Sequence, residues 1–188
     1  MDYLRLVRNS HIFASAVRDI LETRLIRAVC PYPLTLSQFH LLKLMAYDGE
    51  HHIGDIAALL GVSNPAATKN IDKLVRHGLV VRTPAPDDRR ATVLSVSLAG
   101  RRIVVNYEEL KSAQLYPLLD RFTAGELEAF ADILERLSLT LLDLDPESGG
   151  PCLRCAAYFS ADCRVGETRG GCPFIKDRVT VSGKGIPT

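Results

Sequence analysis

The chain has 188 residues, and 47% of them are hydrophobic, so it can bury a sizeable core as one domain, or as one domain with an appended segment. It contains no run of about 18 apolar residues, which argues against a membrane span. Its charged first residues, MDYLRLVRNSHIF, make a poor secretory signal. We therefore expect a cytoplasmic protein without a membrane partner, in a compartment where thiols stay reduced.

The net charge of +1 conceals an uneven distribution of charged side chains. Residues 63–102 carry eight basic and three acidic side chains, a local charge of +5, whereas residues 103–145 carry three basic and nine acidic ones, a local charge of −6. A basic block in a nearly neutral chain is typical of a protein with an anionic partner such as DNA. An ordinary solvated surface is the alternative.

The first 50 residues predict two helices. Residues 3–29 form the first, which ends before Pro31 because proline cannot continue a helix. Its apolar face carries four residues at helical spacing: Phe13, Val17, Ile20 and Leu21. The second helix begins at a capping box of Thr35 and Gln38 and ends at Gly49.

The stretch HIGDIAALLGVSNPAATKNIDKLVRHGLV predicts a helix-turn-helix. Residues 53–60 form a short helix, and Gly61 lies in the tight turn that follows. Either Ser63 or Asn64 can cap the second helix, which Gly78 ends.

Two β-rich runs, LVVRT and TVLSVSL, follow the helix-turn-helix. The sequence between them, PAPDDRRA, is rich in proline and charge, so the runs are predicted to form a hairpin with a long polar tip, a wing. The next segment, AGRRIVVNYEELKSAQLYPLLDRF, is predicted to be helical up to a kink at Pro117.

A last helix is predicted to begin at a capping box of Thr123 and Glu126. Six apolar residues then follow one another at intervals of three and four: Leu127, Phe130, Leu134, Leu137, Leu141 and Leu144. This heptad spacing favours an interface between subunits. The alternative is a helix that packs on the core of its own chain.

In helix-turn-helix proteins the second helix lies in the major groove with its N-terminal residues near base edges. Side chains there offer hydroxyl, amide, methyl and ammonium groups to bases and phosphates. The candidate contacts on this helix are Ser63, Asn64, Ala67, Thr68, Lys69 and Lys73. Arg89 and Arg90 are predicted at the wing tip, where arginine suits the narrow, electronegative minor groove.

From about Met1 to Asp145 the sequence resembles the MarR family of bacterial winged-helix regulators. The similarity is strongest over SNPAATKNIDKLVRHGLVVRTPAPDDRRATVLSVSLAGRRI, which contains the family's recognition-helix pattern and the Asp-Arg-Arg of its wing. The resemblance implies a homodimer, built from the first and last helices, on a pseudo-palindromic operator in double-stranded DNA. It also implies repression relieved by a small-molecule effector or an oxidant, and a structural role for Asp88 in the wing.

Together these elements predict a mainly α fold with a small β wing, extended by a loop-rich C-terminal module. The predicted regions are an N-terminal dimerisation helix (1–34), a winged helix-turn-helix DNA-binding domain (35–100), C-terminal dimerisation helices (101–145), a four-cysteine metal or cluster segment (146–175) and a tail (176–188). The last two regions depart from the family pattern, since most members end after the last helix.

Four of the five cysteines lie close together beyond that helix: Cys152, Cys155, Cys163 and Cys172. Four thiolates can bind a tetrahedral zinc ion or a cubane iron–sulfur cluster. We favour an iron–sulfur cluster, because one close pair followed by single cysteines and a final Cys-Pro resembles cluster ligation in ferredoxins. Zinc is the alternative, since it tolerates varied spacers, and unliganded thiols or disulfides are a third.

The fifth cysteine, Cys30, follows the first helix. Some members of the family sense oxidants through a cysteine in this region, but a lone cysteine is more often a small buried hydrophobe. His51 and His52 precede the helix-turn-helix and are expected to be solvated loop residues.

The sequence thus predicts a dimeric DNA-binding transcriptional repressor that senses redox state, with its operator affinity tuned by an iron–sulfur cluster. One alternative keeps the regulator, with structural zinc and a small-molecule signal. A second alternative is a small iron–sulfur redox protein. The sequence has no Gly-rich phosphate loop and no G-x-S-x-G motif, so no enzyme activity is predicted.

Overall fold

A computed structural model of the chain describes residues 2–85, residues 92–144 and Cys155, and these are mainly helical. The elements are α1 (Tyr3–Ala16), a π-helical segment (Val17–Arg24), α2 (Leu25–Val29), α3 (Leu36–Asp48), β1 (His51–His52), α4 (Ile53–Leu60), α5 (Asn64–Arg76), β2 (Val80–Pro84), β3 (Thr92–Val96), α6 (Leu98–Leu119) and α7 (Ala124–Leu142). Within these ranges, no helix has both the length and the apolar character needed to cross a bilayer.

The predicted first helix is confirmed, and it passes from an exposed to a buried environment along its length. It begins at Asp2, whose carboxylate caps the helix by accepting a hydrogen bond from the Arg5 amide at 3.1 Å. Within the described structure α1 buries no side chain, whereas Leu25 and Ile26 of α2 lie in the core. The helix ends where Cys30 adopts an extended conformation, just before Pro31.

Helix α3 is the centre of the core. Its predicted capping box is confirmed, because Thr35 and Gln38 each hydrogen bond the other's backbone amide. The helix ends at Gly49, whose φ of 92° lies in a region that favours glycine. Five of its side chains are completely inaccessible to solvent: Phe39, Leu41, Leu42, Leu44 and Met45.

The helix-turn-helix consists of α4 and α5. Gly61 makes the turn in the left-handed conformation, with φ of 63°, so glycine is favoured there. Ser63 occupies the N-cap position of α5, but its hydroxyl makes no capping hydrogen bond to the described residues. Pro65 lies in the first turn of α5, where a missing amide hydrogen is tolerated.

The sheet has three antiparallel strands in the order β1-β3-β2. The predicted hairpin of β2 and β3 is confirmed, with Val80 opposite Val96 and Pro84 opposite Thr92. The added strand β1 corrects the expectation that His51 is a solvated loop residue, whereas His52, in the same strand, is exposed. His51 pairs with Leu94 and is buried, and burial lowers the pKa of its imidazole despite the nearby Asp55.

One hydrophobic core joins the three predicted regions that span residues 1–145. It includes Leu25 from the first region, Phe39 and Leu74 from the second, and Ile103 and Tyr107 from the third. Helix α6 runs without a break across the predicted boundary at residue 100. The Tyr107 hydroxyl donates a hydrogen bond to the carbonyl of Leu21 at 3.0 Å, which ties α6 to the N-terminal helix.

Helix α7 begins at the predicted capping box of Thr123 and Glu126, which is confirmed. Like α1, it buries no side chain within the described structure. Phe130 of the predicted heptad row is 47% exposed, Leu141 is 56% exposed and Leu144 is 79% exposed. The row therefore does not pack on the core of its own chain.

Candidate DNA-binding surface

Helix α5 presents three distinct faces, and the first of them belongs to the core. Ala67, Ile71 and Leu74 are completely buried, at a spacing of four and three residues that places them on one side of the helix. The prediction that Ala67 contacts a base is therefore wrong, because its methyl group packs inside the protein. The apolar spacing of these three residues was a signal for this in the sequence.

The second face of α5 points outward. It carries Pro65, Lys69, Asp72 and Arg76, each one turn beyond the last. Lys69 and Arg76 are exposed, so both cations can reach the phosphates of a DNA duplex. Arg76 was not among the predicted contacts, although its position seven residues after Lys69 indicated that the two share a face.

The N-terminal end of α5 offers polar groups beside this outward face. Ser63 and Asn64 are exposed at the end of the helix where the backbone dipole favours negative charge. The Thr68 hydroxyl donates its hydrogen to the carbonyl of Asn64 at 2.8 Å. Because a hydroxyl has only one hydrogen, Thr68 can meet DNA as an acceptor while it makes this bond, for instance from a base amino group.

The third face of α5 lies against the segment that joins α2 to α3. The Lys73 ammonium donates a hydrogen bond to the carbonyl of Pro33 at 2.7 Å. The structure therefore directs Lys73 toward this segment and not along the outward face with Lys69.

Arg82 of β2 is a second residue on this surface that was not among the predicted contacts. Its guanidinium lies 2.7 Å from the carboxylate of Asp72, so it neutralises the one acidic side chain on the outward face of α5. Arg82 also lines a small cavity between α5 and the sheet, of about 250 Å³, together with Thr68 and Thr92. Arg82 therefore carries positive charge to the junction of the recognition helix and the wing.

The predicted wing-tip contacts Arg89 and Arg90, together with Asp88, lie outside the described residues. Their assignment stays a prediction. The strands that flank them, β2 and β3, place the start of the wing beside α5.

Comparison with known proteins agrees with this arrangement. A family model described as the MarR family matches residues 34–92, which contain α3, the helix-turn-helix and the start of β3. The HTH-type transcriptional regulator Mb0904 of Mycobacterium bovis is 31% identical over 117 residues, which cover 61% of this chain and 79% of that protein. The chain belongs to the MarR family. It is accordingly a DNA-binding transcriptional regulator of the winged-helix type, and its relatives are regulators, not enzymes.

Two solved structures have the same fold. The crystal structure of Streptococcus pneumoniae FabT in complex with DNA superposes with a TM-score of 0.66 at 22% sequence identity. The superposition covers 77% of this chain and 100% of the FabT chain. The crystal structure of RV1404 from Mycobacterium tuberculosis superposes with a TM-score of 0.63 at 22% identity, covering 71% of this chain and 91% of that one.

The predicted metal ligands Cys152, Cys163 and Cys172 lie outside the described residues, whereas Cys155 is described and half-buried. Cys155 is also the weakest of the influences on the pKa of the buried Lys43 on α3, which burial, the strongest influence, lowers. No cluster of metal-binding side chains occurs within residues 2–85 and 92–144.

Lys43 itself belongs to a buried cluster of charges between α3 and α6. Its ammonium lies 2.7 Å from the Glu108 carboxylate, which also binds Lys111. Burial of the Lys43 ammonium outweighs the attraction of Glu108 and lowers the pKa of Lys43. Burial alone raises the pKa of Glu108, but hydrogen bonds from Lys111 and Lys43 outweigh it and hold that pKa below its usual range.

Cys30 is buried at the end of α2, and its thiol donates a hydrogen bond to the carbonyl of Tyr32 at 3.5 Å. Burial raises the pKa of this thiol, although the contact with the Tyr32 backbone opposes the shift. A raised pKa lowers the thiolate fraction, and the thiolate is the form that reacts with oxidants. The environment of Cys30 therefore favours a packing role.

An open groove with a volume of about 620 Å³ lies between helices α1 and α7. The rings of Phe13 and Phe130 meet edge to face across it, with centroids 5.6 Å apart. Its lining is mainly apolar and includes Val17, Leu134 and Leu137. The predicted heptad row of this MarR family protein thus lines a surface that the chain does not cover within the described residues.

Proposed function

We propose that this MarR family regulator is a homodimer that represses transcription by binding a pseudo-palindromic operator in double-stranded DNA. The observation that carries the proposal is the outward face of α5, where Lys69 and Arg76 are exposed and Arg82 neutralises Asp72. Such a face supplies phosphate contacts beside the base-reading end of the helix. The function requires access to chromosomal DNA and hence a cytoplasmic location.

The dimer part of the proposal rests on α1 and α7. In the described structure, no residue of either helix is buried. Phe130, Leu137 and Leu141 of α7 are exposed. An apolar surface of this kind is unfavourable in water and is typical of a protein interface. A second copy of the chain is the natural occupant, because symmetric homodimers are the commonest oligomers and a palindromic operator requires two-fold symmetry.

The DNA part is tested by selecting an operator from random duplexes with the purified protein. Lys69→Ala and Arg76→Ala should each lower affinity on every selected sequence and reduce the slope of log K against log salt by about one, as expected for one phosphate contact. Glu128→Ala, an exposed change on α7, is the control. An unchanged salt slope in both variants would show that the outward face of α5 does not meet DNA.

The dimer part is tested by sedimentation of a variant with Leu134→Asp and Leu137→Asp. Both carboxylates would lie in the proposed interface without partners, at a cost of several kcal/mol, so the variant should be monomeric and bind DNA weakly. Ala129→Asp with Thr140→Asp adds the same charge to exposed positions outside the groove lining and should leave the dimer intact. A dimeric Leu134→Asp/Leu137→Asp variant would contradict the proposed interface.

We further propose that the four-cysteine segment holds one iron–sulfur cluster through Cys152, Cys155, Cys163 and Cys172 and that this cluster tunes operator affinity. The spacing of the cysteines supports the proposal. The cluster would supply redox sensitivity. Structural zinc, with a small-molecule effector as the signal, is the alternative.

The metal proposal is tested by anaerobic purification, visible absorbance, and analysis for iron, sulfide and zinc. Single Cys→Ser changes at the four positions should each lower metal content, and Cys30→Ser is the matched control. Operator affinity of loaded and stripped protein, at fixed salt, should differ by roughly 5- to 150-fold if the centre is coupled to DNA binding. Equal affinities would leave a structural role only, and a protein without metal would contradict the site.

A further inference from the structure

One face of α5 packs against the segment that connects the N-terminal helix to α3. This segment, residues 30–35, is called the linker. The face of α5 that meets it carries Asn70, Lys73 and His77, at intervals of three and four residues that align side chains along one side of a helix. All three residues are half-buried. We call them the linker face.

Two direct contacts join this face to the linker. The imidazole of His77 stacks on the ring of Tyr32, with centroids 4.5 Å apart and the planes inclined by 24°. One turn earlier on the helix, the Lys73 ammonium donates a hydrogen bond to the carbonyl of Pro33 at 2.7 Å. The linker is therefore held along the C-terminal half of the recognition helix.

A third contact continues the line onto the first turn of α3. The side-chain amide of Gln38 donates a hydrogen bond to the side-chain oxygen of Asn70 at 3.3 Å. Gln38 is fixed in place because its own oxygen accepts a hydrogen bond from the Thr35 amide at 3.1 Å in the capping box. The capping box that begins α3 thus also positions α5.

The linker has its own internal hydrogen bonds. The carbonyl of Tyr32 accepts hydrogen bonds from the Cys30 thiol at 3.5 Å and from the Leu34 amide at 2.8 Å. Upstream, Leu25 and Ile26 anchor α2 in the core. Because the linker is short and internally hydrogen bonded, it restricts the orientation of α5 relative to the N-terminal helix.

We propose that the linker face sets the angle between α5 and the N-terminal helix, and thereby fixes the half-site spacing that the dimer accepts. The inference rests on the proposed dimer, in which α1 lies at the interface. The two recognition helices of a dimer must reach major grooves about 34–36 Å apart, or a multiple of that. A contact that fixes α5 relative to α1 in each subunit fixes this separation. Tyr32 and His77 are then positioning residues for DNA recognition, without touching DNA.

The test measures operator spacing and not affinity alone. The selected operator is compared with versions whose half-sites are moved apart or together by one and two base pairs, and the ratio of the dissociation constants is the readout. Tyr32→Ala and His77→Ala each remove the stack, and Tyr32→Phe is the control because it keeps the ring. Lys69→Ala is a second control, since loss of a phosphate contact should weaken all spacings equally.

We expect the parent and both controls to prefer one spacing, and Tyr32→Ala and His77→Ala to reduce that preference by at least about fivefold, a typical coupling between sites. Variants are compared at temperatures where circular dichroism shows each to be folded. His77→Ala removes the stack without changing Tyr32, so it checks the Tyr32→Ala result independently. A parent-like preference in both alanine variants overturns the inference, even if their affinity falls. A parent that binds operators without any spacing preference also overturns it. A parent that binds no operator as a dimer would instead contradict the proposed function.

Discussion

The Arg82 guanidinium lies 2.7 Å from the Asp72 carboxylate, and this pair joins strand β2 of the wing to the recognition helix α5. Both side chains are more than one-third exposed, at 37% and 47%, so the pair adds little to folding stability, at most about 1 kcal/mol. Its position gives it a different role. An unpaired carboxylate on this face would repel phosphates, and Arg82 removes that repulsion.

The first prediction is that Arg82→Ala lowers operator affinity by roughly tenfold, about 1.4 kcal/mol, while the melting temperature hardly changes. Asp72→Asn in the same chain should restore most of the lost affinity, because it removes the exposed negative charge. DNA titration of both single variants and the double variant, at one salt concentration, measures the coupling. A double variant as weak as Arg82→Ala would mean that Arg82 contacts DNA directly.

The second prediction concerns Ala67. Because its methyl group is completely buried beside Ile71 and Leu74, Ala67→Leu should overpack the core and lower the free energy of unfolding by about 1–3 kcal/mol. Urea denaturation measures this loss. Ala66→Leu, at the adjacent half-buried position, should have a smaller effect. If Ala67→Leu instead left stability unchanged and altered base preference, Ala67 would face DNA after all.

The helix boundaries could be predicted from the sequence because their signals are local. The capping boxes at Thr35 and Thr123 and the glycines at 49 and 61 each act within a few residues, and all occupy the predicted positions. The two-residue strand β1 could not be predicted. It carries no periodic pattern and exists only because Leu94, distant in sequence, supplies its partner.

The candidate site was harder to predict, because which face of a helix meets solvent is a tertiary property. Ser63, Asn64 and Lys69 are exposed as expected, but Ala67 belongs to the core. The partners Pro33 for Lys73 and Asp72 for Arg82 come together only through folding. Charge patterning located the basic block, but it could not separate the side chains that point outward from those that contact the linker or form an ion pair.

The third prediction concerns the buried charges between α3 and α6. Glu108→Gln would leave the ammonium groups of Lys43 and Lys111 without their carboxylate, and should lower the free energy of unfolding by roughly 3 kcal/mol at neutral pH. Exposed Glu128→Gln is the matched control and should have little effect. Denaturation in urea at pH 7 measures the difference, and equal stability of the two variants would contradict a stabilising role for Glu108.

The same cluster predicts how stability depends on pH. Because the folded protein holds the pKa of Glu108 below its usual range, the unfolded chain binds this proton more readily than the folded one. The contribution of Glu108 is therefore complete above its unfolded pKa of about 4.3, and is lost as the pH falls through the folded value. Urea denaturation from pH 7 to pH 3 should show a shallower acid decline for Glu108→Gln than for the parent. Parallel declines would contradict the direction of the shift.

The last prediction compares two glycines in the first turns of helices. A Cβ at Gly100 would lie 2.3 Å from the carbonyl oxygen of Leu79 and 2.8 Å from a methyl group of Val96, whereas a Cβ at Gly125 would meet nothing within 4 Å. Alanine is the better helix former by up to about 1 kcal/mol, so Gly125→Ala should stabilise the protein slightly. At Gly100 the backbone oxygen cannot move without disturbing the Leu79 hydrogen bond to Ser97, so the clash outweighs this preference. Gly100→Ala should lower the free energy of unfolding by about 1–3 kcal/mol. Thermal denaturation of both variants measures the contrast, and equal melting temperatures would show that the start of α6 does not pack this closely on Leu79 and Val96.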